Sequence, residues 1–317
     1  MATATTKRRK SPGSRPQGPR KRTDPPSRPA WLIPAAALAV LAVAAGLLAL
    51  LVTRPDSEPR STGRLPQTSD YHSLLVAPAS SDDIVLGTHD GLYRSGDGGT
   101  TWTKAELDGQ DAMNLAQPDA GTVWAAGHDV LAKSRDGGGS WQDVRPSGLP
   151  SLDVHGFTVD PRDPKRLYAA IAGRGLYRSS DGGQSFSLLS RTVGPGVMAL
   201  AALRDGTLLA GDMERQVLAA SSNGGREWTG VAQGSFMGLA VNPARPRLVL
   251  ASGPGVLRSE DGGRTWTQAV SIEAGAGPVA WSPRDPGVAY VVAFDRSLWR
   301  SDDFGATWAV VVPGEQS

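Results

Sequence analysis

The chain has 317 residues with 33 Lys/Arg against 31 Asp/Glu and no cysteine, which excludes disulfides, lipidation at an N-terminal Cys, thiolate metal sites and Cys nucleophiles. Residues 1–30 carry nine Lys/Arg against the single acid Asp24, so the remainder is net acidic. A basic arm on an acidic body excludes nucleic acid as the main partner, because binding DNA needs positive charge spread over a folded face.

Residues 1–30, rich in Pro, Ser and Arg, read as a disordered basic arm. Residues 31–52 follow as 22 positions without a charge. At about 1.5 Å per residue they make about 33 Å of helix, enough to cross a bilayer core of about 30 Å. Pro34 falls in the first turn, where a missing N–H costs little. Lys7, Arg8, Arg9, Lys10, Arg20, Lys21, Arg22 and Arg28 precede the span, whereas Arg54, Arg60 and Arg64 after it are offset by Asp56 and Glu58. The positive-inside rule then puts the N-terminus in the cytoplasm and the bulk of the chain outside. A cleaved signal peptide is the rival reading, but Leu50, Leu51 and Val52 lead straight into Thr53 and Arg54 with no small-x-small site. The expectation is a single uncleaved transmembrane helix at 31–53 in a cell membrane. The arm serves as a topology signal with affinity for anionic lipid, worth about 1 kcal/mol per basic residue near the surface. Heavy use of Ala, Gly, Pro and Arg is the composition expected of a bacterial chain.

Residues 54–70, with Pro55, Pro59 and Pro66 among Ser, Thr and Gly, read as an extended, solvated linker. Beyond it one motif recurs six times. The first copy is Ser95, Asp97, Gly99, Thr101, Trp102 and the second is Ser134, Asp136, Gly138, Ser140, Trp141. The third has Asp181 and Phe186, the fifth Asp261 and Trp266, and the sixth Asp303 and Trp308. The fourth drifts, with Asn223 in place of Asp and Glu227 in place of Thr before Trp228. Successive aromatic positions are 39, 45, 42, 38 and 42 residues apart, the length of four short strands with their turns. Apolar alternation predicts strands over 73–77, 84–88, 92–95 and 102–106, and the same series over 157–159, 167–170, 176–179 and 186–189.

The motif S-x-D-x-G-x-T-W is the Asp box, and these copies resemble the β-propeller repeats of sialidases, sortilin and a photosystem II assembly factor. The resemblance implies an all-β, six-bladed propeller over 71–313, with a short tail at 314–317. It also places each box on the turn between the third and fourth strand of a blade, usually away from the ligand face. In such a turn Asp accepts backbone N–H groups, Gly takes positive φ and the aromatic packs the blade. Asp97, Asp136, Asp181, Asn223, Asp261 and Asp303, with the six aromatics, are therefore read as structural.

The scarce chemical residues fall on the opposite, top face. His72, Met113, His155, Met198 and Met237 occupy one equivalent position, two residues before the first innermost core residue of their blades, and blade six has Pro278 there. His89 and His128 lie one loop away, each followed by an acid, Asp90 and Asp129. Imidazole and thioether together suit copper, with thioether favouring Cu(I), so the expectation is a His/Met copper or other transition-metal site at the channel mouth. The plain alternative is that Met fills a narrowing channel and each His accepts a hydrogen bond in a polar loop.

The resemblance to sialidases implies a second possibility, glycoside hydrolysis of the exo-sialidase type. Such a site needs converging Arg residues, a Tyr activated by Glu and an Asp acid/base. The Arg-Ile-Pro segment of those enzymes is missing, with Tyr71, His72, Ser73 and Leu74 in its place. Arg174, Arg191, Arg215 and Arg296, with Glu214, Glu273 and Asp295, are scattered over different blades. The main expectation is a non-catalytic binding or assembly platform for protein or glycan, with Phe236, Tyr71 and Phe294 as aromatic surface.

Overall fold

A computed structural model describes residues 63–315. They form 24 strands in six antiparallel sheets, each of four strands taken in chain order. The blades cover 71–104, 114–143, 154–190, 197–233, 238–271 and 276–312. The all-β, six-bladed propeller read from the repeats is the fold. The expected transmembrane span at 31–53 and the basic arm lie outside the described residues. Among the described residues no helix is long and apolar enough to cross a membrane.

The strands fall close to the alternation pattern, with one systematic difference. In blade one the fourth strand is Thr103–Lys104, so Trp102 stands before it and does not open it. The cause is the box itself. Trp102 turns back to donate Nε1–H to Gly99 O at 2.8 Å, and it is 1% exposed. Asp97 Oδ1 accepts from Thr101 N and Ser95 Oγ at 2.8 Å each, Oδ2 accepts from Thr101 Oγ1 at 2.7 Å, and Ser95 Oγ accepts Gly99 N at 2.8 Å. The same pattern holds Asp136, Asp181, Asp261 and Asp303. In the fourth copy the polarity of one bond is reversed. Asn223 Nδ2 donates to Glu227 Oε2 at 3.0 Å while Asn223 Oδ1 still accepts Glu227 N at 3.0 Å. The two departures from the motif compensate each other.

These donors depress the box carboxylates. The Ser140 and Ser185 hydroxyls are the largest causes at Asp136 and Asp181, and the Thr307 hydroxyl at Asp303, each taken down to about 2. A depressed pKa stabilises the fold above the unfolded value, 3.8, and that contribution is lost as pH falls through the folded value. An Asp136→Asn/Asp181→Asn/Asp303→Asn variant is expected to melt below the parent by a constant interval above about pH 4. That interval should narrow between pH 4 and 2; an interval that does not change with pH in thermal melts would refute the assignment.

Each seam between blades is filled by apolar side chains from both sides. Trp124 and Leu131 of blade two meet Phe157 and Leu167 of blade three, and Leu248 and Val256 of blade five meet Trp281 and Val291 of blade six. The first strands of all six blades surround an axial channel. Leu74, Leu115, Phe157, Leu200, Leu239 and Val279, one per blade, line both a cavity of about 280 Å³ on one side and a smaller one of about 80 Å³ on the other. These six form an apolar collar across the channel.

The ring closes between blades one and six, without exchange of a strand. Residues 63–70, expected to be solvated linker, pack along blade one. Leu65 is 2% exposed in a cluster with Trp102, Tyr290 and Leu298. Gly63 N donates to Thr100 O at 2.6 Å, and Tyr71 Oη donates to Pro66 O at 2.7 Å. Arg296 reaches Gln67 Oε1 and Glu315 Oε1, and Gln67 Nε2 donates to Glu315 Oε1 at 2.8 Å. At the box end, Arg300 Nη1 donates to Asp82 Oδ1 at 2.8 Å, and the Ser81 and Ser282 hydroxyls lie 3.0 Å apart.

Candidate functional site

The strand directions place the start of every first strand and the turn between second and third strands at one end, opposite the boxes. His72 and His155 sit near the head of the first strands of blades one and three, and His89 and His128 in the second turns of blades one and two. The head position is built by a local irregularity. The ladder skips from Tyr71 to Ser73, from Val154 to Gly156 and from Val197 to Ala199, leaving His72, His155 and Met198 unpaired on bulges. A bulge bends the strand and re-aims its side chain. This places chemistry-bearing groups on the rim with no change to the collar two residues later.

The four histidines form one connected group. His72 Nε2 lies 3.0 Å from His89 Nε2, and His128 Nε2 lies 3.1 Å from His155 Nε2. Between the pairs stands Asp111, whose Oδ2 is 2.8 Å from His89 Nδ1 and 2.7 Å from His128 Nδ1. Asp153 Oδ1 is 3.1 Å from His155 Nε2 and 3.4 Å from His128 Nε2. The imidazoles of His89 and His128 stack at 6.3 Å between ring centroids. Three sets of donor atoms each lie within 4.8 Å of one another: Asp70, His72 and His89; His89, Asp111 and His128; His128, Asp153 and His155. Burial lowers the pKa of His72; the charge of Asp111 opposes that and the neighbouring His89 adds to it. Neutral imidazole is the form that binds a metal.

The expected His/Met ring is divided. His72, Met113, Met198, Met237 and Pro278 line the 80 Å³ cavity above the collar, whereas His155 is absent from its lining and joins the imidazole group. The carboxylates that the histidines meet are not the acids next to them in sequence. They are Asp70, Asp111 and Asp153, from the segments entering the first strands of blades one to three, in place of the adjacent Asp90 and Asp129. The sequence holds a signal for them that the adjacency reading misses. Asp70-Tyr-His72, Asp111-Ala-Met113 and Asp153-Val-His155 repeat Asp-x-His/Met at one register, in blades one to three alone. Asn114, also missed, positions His155: its Nδ2 donates to His155 O at 3.1 Å and its Oδ1 accepts Phe157 N at 3.1 Å.

Of the three aromatics expected on the surface, Phe294 is 46% exposed, but Tyr71 at 5% and Phe236 at 1% are buried. Tyr71 fills the seam between blades one and six, and Phe236 packs with Leu218 and Ala251. The Arg and acidic residues considered for hydrolysis take separate local roles. Arg296 joins the seam to Glu315, Arg215 lies 3.6 Å from Asp212 in its own loop, and Asp295 accepts Ser297 N and Oγ. Arg174, Arg191, Glu214 and Glu273 are exposed.

Residues 298–311, the last box and its flanks, match the BNR-Asp box repeat model. No curated protein matches the sequence. Among solved structures, a YCF48 bound to a D1 peptide is 18% identical, with a TM-score of 0.52 over 78% of this chain and 84% of that one. YCF48 from Cyanidioschyzon merolae is 17% identical, with a TM-score of 0.52 over 80% and 89%. The GH74 enzyme of Niastella koreensis is 17% identical, with a TM-score of 0.51, and covers 75% of this chain; the chain spans only 46% of that enzyme's length. At these identities the likeness is one of fold. With six box turns and six four-stranded sheets, the described residues form a six-bladed β-propeller whose last box turn matches the BNR-Asp box repeat.

Proposed function

We propose that the chain is a membrane-anchored, extracytoplasmic, non-catalytic platform that binds a protein segment on its top face. The observation that carries the reading is the asymmetry between the two ends of the ring. The box turns satisfy their polar groups internally, as in Asp97 and its five counterparts. The top face gathers the imidazoles and Asp111, with Phe294 exposed nearby in sequence to Arg296. Rigid strands presenting polar groups and one exposed aromatic suit recognition of another chain. A solved relative of the fold carries a peptide. The uncharged run 31–52 behind a basic arm supports the anchor and its orientation.

Photo-crosslinking in intact cells tests both parts. A crosslinking amino acid at Phe294 is expected to capture one discrete protein, and the same group at Gly182 or Gly224 on box turns is expected to capture none. Equal capture from both ends would sink the top-face assignment. Protease added outside intact cells is expected to release the propeller, and full protection of residues 63–315 would overturn the orientation.

A further inference from the structure

We infer that the outer half of the histidine group, His128, His155 and Asp153, is a binding site for one divalent first-row transition-metal ion, with Asp111 holding His128 in the ligating tautomer. The three donor atoms form a nearly regular triangle with sides of 3.1, 3.1 and 3.4 Å. Bonds of about 2.0–2.1 Å place neighbouring donors about 3 Å apart in an octahedron and about 3.3–3.4 Å apart in a tetrahedron. An ion about 2.1 Å from each donor would therefore stand about 1 Å above their plane, with its remaining positions toward solvent.

Proton arithmetic points the same way. Asp111 Oδ2, 2.7 Å from His128 Nδ1, accepts the N–H of that nitrogen, which leaves His128 Nε2 as a lone pair in the neutral ring. Asp153 Oδ1 brings a second lone pair; it is a buried atom and accepts no hydrogen bond. His155 Nε2 is the third apex and has at most one proton to offer two acceptors. That proton can bridge to either neighbour, but His128 Nε2 and Asp153 Oδ1 still face each other as lone pairs 3.4 Å apart, and a cation between them relieves the repulsion. A ligating imidazole whose other nitrogen is held by a carboxylate is the usual outer-shell arrangement around metal-bound histidine. Asp111 is itself 9% exposed, and its Oδ1 accepts no hydrogen bond.

The inner half is closed off at His72. The His72 side chain is 7% exposed, against 48% for His128 and 22% for His155. Two imidazoles and a carboxylate suit Zn²⁺, Ni²⁺, Cu²⁺ or Fe²⁺ over Cu(I), which prefers sulfur, and over Mg²⁺ or Ca²⁺, which prefer oxygen.

The purified full chain, stripped with chelator, is titrated with Co²⁺ by visible absorption and with Zn²⁺ by equilibrium dialysis. One equivalent of each is expected. His155→Ala and Asp153→Asn should each weaken binding at least tenfold, and Asp111→Asn, which leaves all three donors in place, by about 10–100-fold. Chelator-treated variants with the parent's melting temperature show that the loss is not unfolding. Absence of saturable binding, unchanged affinity in both His155→Ala and Asp153→Asn, or an ion lost with His72→Ala but kept with His155→Ala would each overturn the site.

Discussion

Gly127→Ala is expected to destabilise the propeller by about 3 kcal/mol or more, the upper end of the range for forcing extra volume into a packed site. Gly127 ends the second strand of blade two, where the connector from blade one crosses it. A Cβ there would stand 2.0 Å from Asp111 O and 3.1 Å from Met113 N. Both obstacles are backbone, so no side-chain rotation makes room. Either the strand end or the connector must move, and the connector is the segment that carries Asp111 between His89 and His128. The same methyl should therefore disturb the imidazole group as well as stability. Gly96→Ala is the matched control: that residue is exposed, and a Cβ meets nothing within 4 Å, so a change within about 0.5 kcal/mol is expected. Urea unfolding of the two variants beside the parent reads both effects, and equal midpoints would show that the connector has slack that the packing does not reveal.

Trp102→Ala should cost about 3–5 kcal/mol, the range for emptying a large aromatic site in a core. Trp102 is 1% exposed and packs with Leu65, Tyr290 and Leu298, so it belongs to blade one by sequence and to the closing seam by contact. Truncation also strands Gly99 O, which accepts the indole N–H. Trp308, partly buried in the last box, makes the same bond to Gly305 O at 3.1 Å, and Trp308→Ala should cost less because it removes less buried surface. Trp102→Phe separates volume from hydrogen bonding. Phe186 shows that a phenyl ring fits a box, so about 1–2 kcal/mol is expected from the lost bond and the smaller ring. A Trp102→Ala chain within 1 kcal/mol of the parent in urea would mean that the seam does not depend on this side chain.

The repeats were legible because each box states its own geometry. Asp97, Gly99 and Trp102 are bonded within a handful of residues, and local bonds leave local spacing. The collar was legible for the same reason, since Leu74, Leu115 and Leu200 recur at one register. The site was legible only in part. Period placed His72, His89, His128 and His155 at one end, but the direction in which each ring points is set by bulges that alternation does not record. Asp111 is 22 residues from His89 and 17 from His128, a partnership made by the crossing of a connector over Gly127. Residues 63–70 were misread because their Pro, Ser and Thr content is that of a linker, whereas the burial of Leu65 depends on blade six, more than 200 residues away.

Closure by side chains has a consequence for how the ring is made. Every strand pairing in a sheet joins segments adjacent in sequence, so each blade is complete as soon as its own stretch has left the ribosome. No blade waits for the last residues to supply a missing partner. The gap between first and last blades therefore breaks no sheet. Joining the two ends and cutting the chain between any other pair of blades would leave the same six sheets intact. The burial of Leu65 and the stitching by Gln67, Arg296 and Glu315 mark where the circle begins.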